Sequence, residues 1–385
     1  MANFIRITEN PQYKAEEIFI VMRDFRKGGL NLDNFEEFID LINELPDVAI
    51  RKNEDYKIFN KLNLTNITEA ELSVIFQEAL RRSIEASKKC WHPQASNENC
   101  STDKSGRIKI TAAHSIQNNG ILNRISENGH VMTYRYSSGN FSKKSIGKNS
   151  ASIFYGFCNN HDAIFMPIET MKYNKSLEQN FLFAYRGFIV AAHKKIEASQ
   201  LIDYEERSDN DIEKNKRIFD EAIENEKYDV ICSDIIELPA FYPIAVSSSF
   251  YLDYDFEGNL IKHSDERMEF IFVTLFPESQ KTYFILSYFD RDRELYQNLA
   301  NQLKRRNSFK SDITMLIAAH VENVYFNPVY YETFIKEHED KLNVILSLSQ
   351  FDIAVIKDGN DISDVHSVTP PNYLNNELGI NYFGY

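Results

Sequence analysis

Residues 88–117 read KKCWHPQASNENCSTDKSGRIKITAAHSIQ, and residues 151–162 read ASIFYGFCNNHD. Three of the chain's four cysteines, Cys90, Cys100 and Cys158, fall in these two stretches, with His92, His114 and His161 beside them. Thiolate and imidazole are the ligands zinc prefers, and a closed structural site takes four of them in a tetrahedron. Cys158-Asn-Asn-His161 is the tightest pair, because a C-x-x-H spacing puts both ligands on one turn. Two of Cys90, His92 and Cys100 complete the set, and spacing alone does not choose between them. A segment this rich in Gly, Asn and Ser has too small a core to stand by itself, and a structural Zn²⁺ would supply the missing stability. Cys232, inside an apolar run, reads as a core residue instead.

The sequence on either side has a different character. Residues 1–89 read as helical, with apolar residues recurring at three and four over 14–26 and 33–45, and again from Thr68, whose capping-box partner is Glu71. Between residues 90 and 175 short strands are expected: RIKIT (107–111), HVMTYRY (130–136) and SIFYGF (152–157). Ser176 with Gln179 opens a helix through Glu197, and a charged helix follows over 211–226. Period-two strands are then expected at 229–238, 244–255, 268–276 and 281–289, separated by turn chemistry at Glu257-Gly258-Asn259 and Pro277-Glu278-Ser279. Three helices, 293–306, 311–324 and 329–347, lead to an irregular C-terminus. The expected class is α+β. It comprises a helical N-terminal region (1–89), a small zinc-binding module (90–175) and a larger domain of antiparallel sheet plus helices (176–385).

At 385 residues, with 43% hydrophobic and 26% charged residues, the chain has the balance of an ordinary globular protein. No apolar run reaches the roughly 18–20 residues of a membrane-spanning helix, so no membrane partner is expected. The N-terminus lacks the basic and apolar regions of a signal peptide, and four cysteines do not make a disulfide framework, so the expected compartment is cytoplasmic. Net charge is −14, yet residues 104–175 hold ten Lys or Arg against Glu127, Asp162 and Glu169. That basic window is where the phosphates of DNA or RNA would be held, with a solvated Lys-rich surface as the alternative. A protein partner or a homo-oligomer is the other association open to the chain. Phosphate-loop, dinucleotide and nucleophile-elbow motifs are all absent.

His114 follows the alternating run RIKITAA, which puts it at a strand end facing Asn118, Asn119 and Gly120. The order Cys90 and Cys100, then His114, then Cys158 and His161 resembles treble-clef and His-Asn-His (HNH) nuclease modules. The pattern C-x-H…C…AHSIQ…FCxxHD is also similar to that of uncharacterised bacterial proteins, some associated with phage defence. The resemblance spans about residues 90 to 195. It implies that His114 is a general base activating water against a phosphodiester, while a divalent ion steadies the leaving oxygen. Where such modules carry a further histidine or asparagine on the following helix, this chain has HDAIFMPIE. Asp162 and Glu169 are then the ligands available for Mg²⁺ or Mn²⁺, and Pro167 limits the helix. The middle asparagine of the motif could be Asn118, Asn119, Asn123 or Asn128. His114 could equally be a zinc ligand or a residue bracing the site. The competing class is a non-catalytic binding or sensor protein, in which the zinc is architectural and the C-terminal domain recognises a protein or ligand partner.

Overall fold

In chain order the strands are β1 (Ile110–His114), β2 (His130–Ser137), β3 (Asn140–Gly147), β4 (Ile153–Cys158), β5 (Ile231–Leu238), β6 (Ile244–Phe250), β7 (Ile271–Glu278), β8 (Lys281–Phe289), β9 (Val324–Phe326), β10 (Asp352–Lys357) and β11 (Asp361–Ser367). The longer helices are α1 (Leu177–Ser199), α2 (Arg207–Glu224), α3 (Arg293–Arg305) and α4 (Phe309–His320). This computed structural model describes residues 84, 87–137, 140–199, 207–264, 267–342, 345, 352–357, 361–367 and 373–384. The helices expected at 14–26 and 33–45, and the one from Thr68 up to residue 83, lie outside the described residues.

Seven strands form one sheet in the order β3-β2-β9-β6-β7-β8-β5, with every neighbouring pair antiparallel. β1 pairs with β4 and β10 with β11, each as a separate antiparallel ribbon. The chain is thus a mixture of helix and antiparallel sheet. Hydrogen bonding in the large sheet crosses the boundary expected at residue 175, because β2 and β3 form one of its edges. The interval between β1 and β4 holds a short helical stretch at 118–125 and then this edge hairpin.

Three of the four apolar runs expected as period-two strands, β6, β7 and β8, are buried on both faces along most of their length, β6 throughout, whereas β5 is buried only at its two ends. Ile271, Val273 and Leu275 of β7 face a core completed by Tyr296 and Leu299 of α3, Ile313 and Leu316 of α4, and the C-terminal Tyr382 and Phe383. Phe272 and Phe276 face the other way, toward Phe181 and Phe188 of α1, Phe219 of α2, and Phe154 and Phe157 of β4. Alternation along a strand sends successive side chains to opposite sides, so an apolar residue at nearly every position signals a covered sheet on either side.

α1 is buried over every residue from 181 to 190, as a helix enclosed between a sheet and a further layer should be. Its approach to β6 is close at Gly187, where an added Cβ would lie 2.9 Å from the carbonyl oxygen of Ser248. The helix start follows the expected capping box in part. Gln179 N donates to Ser176 Oγ at 3.2 Å, but the Gln179 side chain turns to Asn174 N, Pro167 O and Lys172 O instead. Beyond α4 the expected helices change. The helix expected to reach 324 ends at His320, residues 324–326 form β9, and 328–338 break into short turns of differing pitch.

α4 ends on His320, whose ring stacks on Phe250 at 4.6 Å and hydrogen-bonds the Tyr373 hydroxyl at 2.6 Å. Burial pushes its pKa down from 6.5 to about 3. The unfolded chain therefore binds a proton here that the folded chain refuses, and stability falls as pH drops from about 6.5 toward 3. The slope from one such group approaches about 1.4 kcal/mol per pH unit. Urea denaturation at stepped pH is expected to show that loss in the wild type, and His320→Gln should flatten it; parallel curves for the two would contradict the assignment.

Candidate metal centre

Cys158 is the last residue of β4, and the chain turns at once into a single helical turn, Asn159–Asp162. That turn brings His161 Nδ1 to 3.3 Å from Cys158 Sγ. Cys90 and Cys100 arrive from the irregular segment before β1. Cys100 N donates to Ser96 O at 3.0 Å and Asn99 N to Ser96 Oγ at 3.1 Å, curling the segment back on itself. The segment is fixed to β4 by Trp91 N, which donates to Gly156 O at 2.9 Å, while the fully buried Trp91 ring packs into the core. On the other side, Asn159 N donates to Ser101 Oγ at 3.0 Å.

The result is a Cys₃His group. Cys90 Sγ and Cys100 Sγ lie 3.3 and 3.5 Å from His161 Nδ1, and all four ligand atoms lie within 4.8 Å of one another. With Zn–S near 2.3 Å and Zn–N near 2.0–2.1 Å, the sulfur–nitrogen edge of a tetrahedron is about 3.5 Å. The donor set and its dimensions fit a zinc-sized ion. Burial pushes the Cys90 thiol up to about 12 and raises Cys100. Burial also opposes ionisation of Cys158, but hydrogen bonds from the His161 and Ser101 backbone outweigh it and lower the pKa. Three thiols packed this closely need a cation to become thiolates together, and a divalent ion provides it.

His92 stands beside the four and is not one of them. Its ring lies parallel to that of His161, 4.2 Å away and 4° from coplanar, and its Nδ1 accepts from Gln94 N at 3.2 Å. Burial, then the neighbouring His161, pushes its pKa down to about 4. Among the described residues this Cys₃His group is the one cluster of three or more side chains able to hold a metal, and His114 and Asp162 do not form a second.

His114 ends β1, and its Nδ1 lies 2.9 Å from Ala151 O. A carbonyl only accepts, so Nδ1 carries the proton and Nε2 keeps the basic lone pair. Burial lowers its pKa; the Ala151 carbonyl and Glu169 oppose that shift, and Arg186 adds to it. Asp162 is raised by burial, with Arg186 and Glu169 acting on it in opposite senses. Arg186 and Glu169 are themselves an ion pair, and the guanidinium, 3% exposed, lies 4.2 Å above the Phe165 ring. His114, Asp162, Glu169 and Arg186 therefore share one electrostatic neighbourhood. The sequence reading missed Arg186, although a lone arginine within FLFAYRGFIVAA (181–192) is itself the sign of a buried, paired charge.

Other charged and polar groups have partners within the chain. Asp290 pairs with Arg293, and Asp292 with Arg267. Asn118 Nδ2 donates to Asn149 Oδ1 at 3.0 Å. Within the basic window, Lys143 is paired with Glu332 and Glu339, and Lys175 with Glu237, so part of its charge is already answered within the chain. No helix among the described residues is long and apolar enough to cross a membrane. The chain matches no protein-family model, no curated protein and no solved structure.

Proposed function

We propose that the chain is a zinc-stabilised, HNH-like nuclease acting on DNA or RNA, with bacterial phage defence as the setting its sequence resemblance suggests. The observation that carries the reading is the state of His114. It sits at a strand end with Nδ1 engaged by a backbone carbonyl, which leaves Nε2 to take a proton from water. Asp162, beside the metal ligand His161, would hold a Mg²⁺ or Mn²⁺ ion whose chemistry is to stabilise charge on the leaving oxygen. Arg186 contributes fixed positive charge to the same neighbourhood. Cys90, Cys100, Cys158 and His161 would keep the β1–β4 ribbon in register without entering the reaction.

The test is cleavage of plasmid DNA and of RNA with Mg²⁺ or Mn²⁺, comparing wild type with His114→Ala. Loss of a general base should lower the rate by about 10²–10⁴. A wild type that cleaves neither substrate, or a variant that cleaves equally well, defeats the proposal.

One observation favours the second reading, a non-catalytic binding or sensor protein. The Glu169 carboxylate is already paired with Arg186, which reduces the negative charge a catalytic ion would need. In that reading the metal is architectural and the sheet domain binds a protein or ligand partner.

A further inference from the structure

The peptide unit joining Ala151 to Ser152 is held at both ends. Its carbonyl accepts from His114 Nδ1 at 2.9 Å, and its N–H donates to Tyr325 Oη at 2.7 Å. A trans peptide is planar, with N–H and C=O pointing in opposite directions, so turning the plane displaces both bonds together. The chain's own preference does not fix this plane, because Ser152 has φ of +56°, a region that side chains disfavour.

The surroundings supply what the local backbone does not. Ser152 Oγ accepts from Ile116 N at 3.3 Å and donates to Ile116 O at 3.2 Å, and Ser152 O accepts from Ser115 N at 2.9 Å. Asn323 Nδ2 donates to Ser115 Oγ at 2.9 Å and to Ser247 O at 2.7 Å. Tyr325 is itself built into the large sheet, paired with Ala245 of β6, and is 6% exposed. One short strand of the sheet thus reaches the turn that presents a carbonyl to His114.

We infer that Tyr325 is a positioning residue for His114: acting through the 151–152 peptide, it fixes the Nδ1-protonated tautomer and so directs the Nε2 lone pair. In a neutral imidazole the partner of one nitrogen decides which nitrogen is basic. Here that partner is oriented by a phenol outside the β1–β4 ribbon. The inference deepens the nuclease reading and rests on it for its catalytic meaning. The tautomer itself is independent of any activity.

The experiment is ¹⁵N NMR of the histidine ring nitrogens in the full chain prepared with zinc, with His114 assigned by comparison with His114→Gln. The wild type should show His114 protonated at Nδ1. Tyr325→Phe keeps the buried ring and removes Oη, and should shift the tautomer ratio about tenfold toward Nε2–H, the scale of one hydrogen bond. A folded Tyr325→Phe with an unmoved His114 tautomer overturns the inference, even if it melts at a lower temperature, because a merely structural tyrosine would do only the latter. Should that variant lose its dispersed spectrum, 3-fluorotyrosine at position 325 keeps ring and hydroxyl while weakening the oxygen as an acceptor. The Ser152 amide and His114 Nδ1–H resonances should then move together, and movement of the first alone overturns the inference. A wild type that cleaves nothing ends the nuclease reading and leaves the tautomer result standing. An unmoved tautomer ends this inference whatever the chain cleaves.

Discussion

Cys158→Ser is expected to abolish metal retention and to unfold the region around the β1–β4 ribbon. The wild-type protein should carry about one zinc per chain, since its four donors form one closed set. Binding free energy at a structural zinc site is folding free energy, about 10–16 kcal/mol in small zinc peptides. That is comparable with the whole stability of a typical domain, about 5–15 kcal/mol. The loss should therefore appear as missing tertiary structure and not as a modest fall in melting temperature. Cys232→Ser is the internal control. Its thiol donates to Asp290 Oδ1 at 3.0 Å and is not among the four ligands, so metal content should be unchanged. Elemental analysis with near-ultraviolet circular dichroism checks both variants. Wild-type protein without zinc, or Cys158→Ser with its full complement, would contradict the site.

Arg267→Ala is the next largest effect expected, a loss of about 3–5 kcal/mol. Arg267 and Asp292 are each 5% exposed and ion-paired. Arg267 Nη1 also donates to Asn215 Oδ1 at 2.9 Å, and Asn215 Nδ2 donates to Met268 O at 2.9 Å, so the pair ties α2 to the chain entering β7. Burial raises the Asp292 pKa, and Arg267 is what opposes that shift. Removing the cation leaves a buried carboxylate that must take up a proton or unfold its surroundings. Arg267→Ala combined with Asp292→Ala should recover part of the loss, because the double variant buries no lone charge. Chemical denaturation of the two single variants and the double variant measures this directly. An Arg267→Ala chain as stable as wild type would show that the pair contributes nothing.

The Cys₃His cluster was legible because its signal is local. C-x-x-H on a strand-to-helix turn is decided within four residues, and β4 and its turn form as the spacing implies. Choosing Cys90 over His92 needed the fold, since the Ser96 turn and the Trp91 anchor orient the segment, and neither is visible as a period. The four long apolar strands were legible for the same local reason. β9 was not, because three residues, Val-Tyr-Phe, are too short to carry an alternation, and the first of them falls at the end of the helix expected over 311–324. Its strand character comes from pairing with β2 and β6 on either side. Residues 329–347 read as one helix, but the start at Pro328 is capped by Asn327 and the pitch then changes within each turn. The β10–β11 ribbon falls where the sequence read as irregular. Arg186 was missed because apolar periodicity gives no weight to a single charge in a buried helix.

The placement of β2 and β3 bears on how such a chain could be assembled or rearranged. They lie between β1 and β4 in sequence yet belong to the edge of the large sheet. A recombination event that cut on either side of the Cys₃His segment would carry two sheet strands away with it. The ribbon with its Cys₃His cluster is accordingly no portable cassette. It and the sheet are interlaced along the chain, and each would have to be inherited with the other.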